Sequence, residues 1–150
     1  MRQATLTFLL LLFAIPSMAQ EIAPVVPGDR LTAHVIHVTD GDSLEVELRG
    51  LRMRVRLSGV NCPEWNKPGG KEATAFAKAW IAHGQIVELE VAQDCFTTKP
   101  DCWDKYNRLL AFVWRDGEML QEELLKSGNA EVKYINKTDK YYERFVAAKE

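Results

Sequence analysis

Between Thr32 and Leu57 the chain alternates with a period of two: Ala33 and Val35, with His37 a candidate for the same face, then Leu44, Val46 and Leu48, then Met53, Val55 and Leu57. In an extended chain successive side chains point to opposite faces, so this spacing marks three strands that each bury one face. Arg49-Gly50 supplies a tight turn between the second and third runs, and a three-stranded antiparallel meander is expected. The pattern then changes period. After the glycine-rich stretch Lys67 to Gly70, Ala73, Phe76, Ala77 and Trp80 fall at helical spacing, in a segment expected to stop near Gly84. Ile86, Val87, Leu89 and Val91 predict a fourth strand, and Leu109 to Trp114 a fifth that ends at the turn Asp116-Gly117. Met119 to Lys126 predicts a second helix closed by Gly128, and a short last helix is expected from about Asp139 to the end.

Five strands with one inserted and two trailing helices give an α+β fold, mainly β, and suit a five-stranded Greek-key barrel of the OB type. The periodicity alone fits a generic α+β domain equally well. With 47% hydrophobic and 27% charged residues in 150, the chain has the proportions of one globular domain.

The first nineteen residues differ in kind. Arg2 precedes an apolar run from Leu6 to Ile15, and Pro16-Ser17-Met18-Ala19 follows, the layout of a secretory signal peptide. The run is short of the roughly 18 residues that a membrane helix needs. The expected organisation is a signal peptide over 1–19, a linker over 20–31 containing Pro24, Pro27 and Gly28, and a domain over 32–150. The mature protein is expected to be exported, to a periplasm or the medium, with no membrane contact after cleavage. Removing Arg2 from 19 basic residues leaves 18 against 21 acidic, a formal net charge of −3. A global basic excess, the usual footprint of non-specific nucleic-acid binding, is therefore absent, and any polyanion site must be a local basic pocket.

Three cysteines are present. In an oxidising compartment Cys95 and Cys102, closing a turn-rich loop that holds Thr97, Thr98, Pro100 and Asp101, are the natural disulfide pair. Cys62 is then the odd thiol, although three pairings are possible in principle. Two cysteines at this spacing with no nearby histidine lack a zinc ligand set. His34, His37 and His83 are scattered, and Trp65, Trp80, Trp103 and Trp114 read as core or rim residues, with Trp103 the one candidate for base stacking.

Chemistry concentrates in three segments: Asp40-Gly41-Asp42-Ser43, Arg56 to Glu64 (RLSGVNCPE), and Asp104-Lys105-Tyr106-Asn107-Arg108. Taken singly, each is an ordinary turn, strand or loop. In this order they resemble the D-G-D-T, R-L-x-x-V-D-x-P-E and D-K-Y-G-R signatures of the staphylococcal nuclease-like (thermonuclease) family, over about His34 to Phe145. Leu124, Gly128, Ala130 and Val132 echo that family's later helix–strand junction.

The resemblance implies a five-stranded OB barrel with three helices and a metal-dependent endonuclease acting on DNA and RNA, mainly single-stranded, as a monomer. It implies Ca²⁺ held by Asp42, the backbone carbonyl of Cys62 and position 61, since hard cations take oxygen ligands. Glu64 would orient or deprotonate the attacking water. Arg56 and Arg108 would clamp the phosphate through planar donor pairs. Lys105 and Tyr106 would meet a neighbouring phosphate, and Tyr134 a base.

Departures from the pattern are informative. Asn61 stands where the family carries a second metal-binding aspartate, so the site loses one formal negative charge and weaker Ca²⁺ binding is expected. Asn107 replaces a glycine, and Asn136 a second base-binding tyrosine. These losses and the acidic net charge keep open a reading as a non-catalytic OB-fold module that binds nucleic acid or a protein partner.

Overall fold

The computed structural model describes residues 25–82, 85–92 and 102–150. The proposed signal peptide, Cys95, His83 and Gly84 lie outside the described residues, and so does one half of the expected disulfide. The described chain is built from β1 (Arg30–Asp40), β2 (Ser43–Leu48), β3 (Leu51–Leu57), β4 (Val60–Asn61), α1 (Gly70–Ile81), β5 (Ile86–Val91), β6 (Leu109–Arg115), β7 (Glu118–Met119), α2 (Leu120–Lys126), β8 (Glu131–Val132) and α3 (Tyr142–Lys149).

β1, β2 and β3 form the expected meander. β5 pairs with the outer side of β1, β6 pairs with β5, and β6 then runs parallel to β3, which closes five strands into a mixed barrel. Closure removes the open edges that an isolated sheet would present. β7 extends β6 as a short hairpin, and β4 pairs with β8 in a separate two-stranded ribbon. These three short strands carry no periodic signal. Their place is set by tertiary contacts.

The alternating residues fill the barrel: Ala33, Val35, Val46, Val55, Leu89 and Val113 are all buried. One expected inward residue is wrong. A bulge between Val35 and His37 shifts the register of β1 by one, so His37 is exposed and Val38 takes the core position. β1 also begins two residues ahead of Thr32, and Gly28 and Asp29 already hydrogen-bond Val91, so the end of the expected linker belongs to the barrel.

α1 buries Ala73, Thr74 and Ala77, small residues that let the helix lie close on β1, and the larger Ile81, while Phe76 and Trp80 cover its margin. α2 begins at Leu120 because Met119 is drawn into β7, and α3 begins at Tyr142 rather than Asp139. The buried Gln121 side chain clamps β6 from α2: its Oε1 accepts the Val113 N–H at 3.1 Å and its Nε2 donates to the Ala111 carbonyl at 3.0 Å.

Candidate active site

The turn from β1 into β2, the chain from β3 through β4, and the loop ahead of β6 meet at one end of the barrel. Gly41 allows the first of these to pack. A Cβ there would lie 2.8 Å from Ala73 Cβ and from the Cβ and Sγ of Cys62. Any larger residue would drive the Asp40–Asp42 turn away from α1 and β4. Gly70 does the same at the start of α1, where a Cβ would collide with the Glu64 carbonyl oxygen. That carbonyl also accepts the Lys67 N–H at 2.8 Å, so the segment carrying Glu64 is tied to the helix.

Asp42 is buried in this turn. Its Oδ2 accepts the Cys62 N–H at 2.7 Å and pairs with Arg56 Nη2 at 3.1 Å, and its Oδ1 accepts from the Ser43 hydroxyl at 3.2 Å. Burial pushes its pKa up, Arg56 and the Cys62 N–H pull it down, and Asp40 pushes it up again, for a result of about 6. The carboxylate is thus under-compensated by the charges around it. Cys62 shares this environment. Burial, then the neighbouring Asp42, drive its thiol up to about 12, so the sulfur is protonated and is no nucleophile.

Arg56 projects from β3 into the same space, buried, donating Nη1 to the Leu57 carbonyl at 2.6 Å and Nη2 to Asn61 Oδ1 at 3.4 Å. Arg108 is held from the other side. Asp104 Oδ2 accepts its Nε at 2.8 Å, Asp104 Oδ1 accepts its backbone N–H at 2.9 Å, and Ser43 Oγ accepts from its Nη1 at 3.2 Å. Burial would raise the Asp104 pKa, but the hydrogen bonds from Arg108 and Tyr106 outweigh it and hold the carboxyl below its usual value. Asn107 sits at φ 58°, the left-handed conformation that its glycine counterpart takes without strain and that Asn tolerates.

A cleft of about 540 Å³ opens between these elements, and Asp42, Arg56, Asn61, Cys62, Glu64, Lys105, Tyr106, Arg108 and Tyr134 all line it. These are the nine residues singled out from the sequence for metal, catalysis and substrate. Tyr106 and Tyr134 are 57% and 50% exposed, open to a flat ligand. Asn136 does not line the cleft. Three residues were missed. Asp104 orients Arg108 from four residues away, a spacing typical of an Asx-anchored turn. Ser43 bridges Asp42 to Arg108, and Asp40 accepts the Asp42 N–H at 3.1 Å. Trp65 was read as core or rim, and is 51% exposed beside Glu64.

The donor chemistry fits a hard cation. Asp40, Asp42 and Asn61 bring oxygen atoms to the cleft floor, and the buried Asp42 charge calls for a positive neighbour beyond Arg56. Among the described residues no three His, Cys, Asp or Glu side chains converge on one point.

A closed barrel that brings two arginines, three aspartates and a glutamate to one open cleft is an OB-type domain with both signs of charge gathered at one site. The family described as staphylococcal nuclease homologue matches residues 54–150. Thermonuclease of Staphylococcus hyicus is 38% identical over 123 residues, covering 78% of this chain and 68% of that protein. Thermonuclease of Staphylococcus intermedius is 39% identical over 113 residues (71% and 62%), and endonuclease YncB of Bacillus subtilis (strain 168) 37% over 113 residues (71% and 50%). The chain spans less than two thirds of the latter two relatives. It belongs to the staphylococcal nuclease homologue family.

Proposed function

We propose that this protein is an exported, Ca²⁺-dependent nuclease that hydrolyses phosphodiester bonds of DNA and RNA, prefers single-stranded or loosened substrate, and acts as a monomer. The convergence of Arg56, Arg108, Glu64 and Asp42 on one cleft carries this reading. The names of the relatives, thermonucleases and an endonuclease, support it.

Hydrolysis builds negative charge on a five-coordinate phosphorus, so the site must supply positive donors placed beforehand and a group that takes a proton from water. Arg108, fixed by Asp104 and Ser43, and Arg56, fixed by Asp42 and the Leu57 carbonyl, offer guanidinium donors to the non-bridging oxygens. Glu64, exposed at the cleft edge, takes the proton of the attacking water. The water oxygen bonds to phosphorus, the opposite P–O ester bond breaks, and the leaving oxygen takes a proton from solvent. Asp42, Asn61 and the Cys62 carbonyl are the residues that would hold Ca²⁺, and a bound ion there offsets charge developing on the phosphoryl oxygens. Lys105 and Tyr106 meet the adjacent phosphate, and Tyr134 stacks on a base, which requires that base to be unpaired.

Export rests on residues 1–19 as a signal peptide, with a linker from residue 20 that leads into one domain and whose end at 28–31 joins the barrel. No helix among the described residues is long and apolar enough to cross a membrane. A second reading, an OB module that binds nucleic acid without cutting it, draws on the Asn61 amide oxygen facing Arg56 instead of standing as a carboxylate. Incubating the mature protein with denatured DNA in Ca²⁺ or in chelator separates the two. Ca²⁺-dependent fragmentation supports the nuclease; intact DNA at every metal concentration tested leaves the binding module.

A further inference from the structure

Three exposed aromatic rings stand out on the described surface, Trp65, Tyr106 and Tyr134, and each carries a lysine ammonium over its face. Lys105 lies 5.0 Å from the Tyr106 ring centroid, Lys133 5.3 Å from Tyr134, and Lys71 5.8 Å from Trp65. Single exposed aromatics are ordinary. A ring with a cation beside it, found twice in the cleft and once beside Glu64, matches the unit of single-strand binding, where the ring stacks a base and the cation takes the neighbouring phosphate.

Tyr106 and Tyr134 line the cleft; Trp65 does not. It follows Glu64 directly, in the segment tied to α1 by the Lys67–Glu64 and Gly70–Lys67 backbone hydrogen bonds. Lys71 stands on the first turn of α1, so the ring and its cation are both carried by anchored backbone. The backbone of the pair is therefore fixed ahead of binding, and the ordering cost that remains is that of two exposed side chains.

Building on the nuclease reading, we propose that Trp65 and Lys71 form a further nucleotide subsite, outside the cleft on the Glu64 side, that stacks one unpaired base of the strand and holds its phosphate. A strand that leaves the cleft past Glu64 then meets a third stacking ring. Substrates long enough to reach Trp65 bind more tightly than those confined to the cleft.

Fluorescence anisotropy in chelator, where nothing is cut, tests this with labelled oligothymidylate 12-mers and a labelled thymidine dinucleotide. Trp65→Ala should weaken the 12-mer roughly 5-fold or more, on the scale of one lost stacking interaction, leave the dinucleotide unchanged, and be largely rescued by Trp65→Phe. Lys71→Gln should lower the salt slope of 12-mer binding by about one ion. The exposure of both side chains makes unfolding an unsuitable explanation, and circular dichroism of each variant checks it. Unchanged 12-mer affinity in Trp65→Ala, an equal loss for both ligands, or no binding of the 12-mer by wild type overturns the subsite. If wild type degrades DNA in Ca²⁺ while Trp65→Ala binds normally, the subsite alone falls. If wild type cuts nothing yet its 12-mer affinity depends on Trp65, the nuclease reading falls and the subsite stands.

Discussion

Two buried carboxylates, Asp42 and Glu90, are 7% and 5% exposed in the same barrel, and they are treated in opposite ways. Glu90 on β5 is saturated. The Tyr141 hydroxyl lies 3.0 and 2.8 Å from its two oxygens, Lys140 Nζ 2.7 Å from Oε1, and Arg30 Nη2 2.8 Å from Oε2. Burial alone would raise its pKa, but the hydrogen bonds from Lys140 and Tyr141 and the two positive charges outweigh burial and hold it below the usual carboxylate value. For Asp42 burial dominates: it has one cation and a second acid beside it, too little to offset the loss of water, so its pKa goes the other way. A carboxylate whose partners are complete braces the fold, here pinning β5 to β1 and to the residues just ahead of α3. One left short of positive charge in an open cleft keeps capacity for an ion that arrives from solution.

The contrast predicts that function and stability separate by position. The largest expected effect is on the cleft side. Glu64→Ala should lower kcat on denatured DNA by roughly 10²–10⁴-fold, the usual worth of a positioned general base, with thermal stability within about 0.5 kcal/mol of wild type because the side chain is exposed. Equal activity of mutant and wild type would remove Glu64 from the chemistry. Glu90→Gln should behave inversely. It leaves the buried centre with one acceptor oxygen for three donor groups and should cost about 2 kcal/mol in urea unfolding, at the low end for a charged hydrogen-bond network because the Arg30 and Lys140 side chains are 48% and 68% exposed. Activity per folded molecule should hold.

The same residue sets a pH signature. A group whose folded pKa lies below its unfolded value stabilises the fold above the unfolded pKa, and that contribution fades as pH falls through the folded value. Wild type should therefore lose more stability than Glu90→Gln as pH drops from 7 to below 4.5, the ordinary glutamate value. Parallel losses in the two proteins would show that the centre does not titrate as argued.

The two carboxylates were not equally legible in the sequence. Asp42 sits in a local signature, Asp-Gly-Asp, whose glycine is explained by the contact of residue 41 with Cys62 and Ala73. The cleft as a whole could be read because each of its residues lies in one of three short segments. Glu90 belongs to no motif. Its partners come from positions 30, 140 and 141, and nothing in an alternating strand distinguishes a saturated buried acid from a solvated one. β1, β2 and β3 were legible through period two and β6 as a continuous apolar run, but the bulge that expels His37 was not, because a bulge answers to the strand's neighbours rather than to its own pattern. β4, β7 and β8, each two residues long, are too short to carry a period.

Asn61 is where the open centre can be moved towards the saturated one. Asn61→Asp restores a negative charge to the cleft, and ligand charge is one of the quantities that sets Ca²⁺ affinity. Calorimetric titration should show Ca²⁺ binding tightened by about 10-fold, or about 1.4 kcal/mol, and Ca²⁺ should raise the melting temperature of the variant more than that of wild type through the added binding energy. An unchanged titration would mean that position 61 contributes no ligand, and the proposed ion would then depend on Asp42 and backbone oxygen alone.

The smallest effect concerns the turn that presents Arg108. Asn107 holds φ at 58° between Tyr106 and Arg108, and its two neighbours in the sequence both reach into the cleft. A residue with a Cβ and no local hydrogen-bonding side chain costs roughly 1–2 kcal/mol in this conformation, whereas glycine costs nothing there. Asn107→Ala should therefore lower stability by about 1 kcal/mol and Asn107→Gly should leave it near wild type. If the turn is only a scaffold, kcat should follow the folded fraction in both variants. A fall in kcat for Asn107→Ala beyond that fraction would show that the angle of this one residue sets the aim of Arg108, and that the cleft, unlike the Glu90 centre, depends on backbone strain as well as on charge.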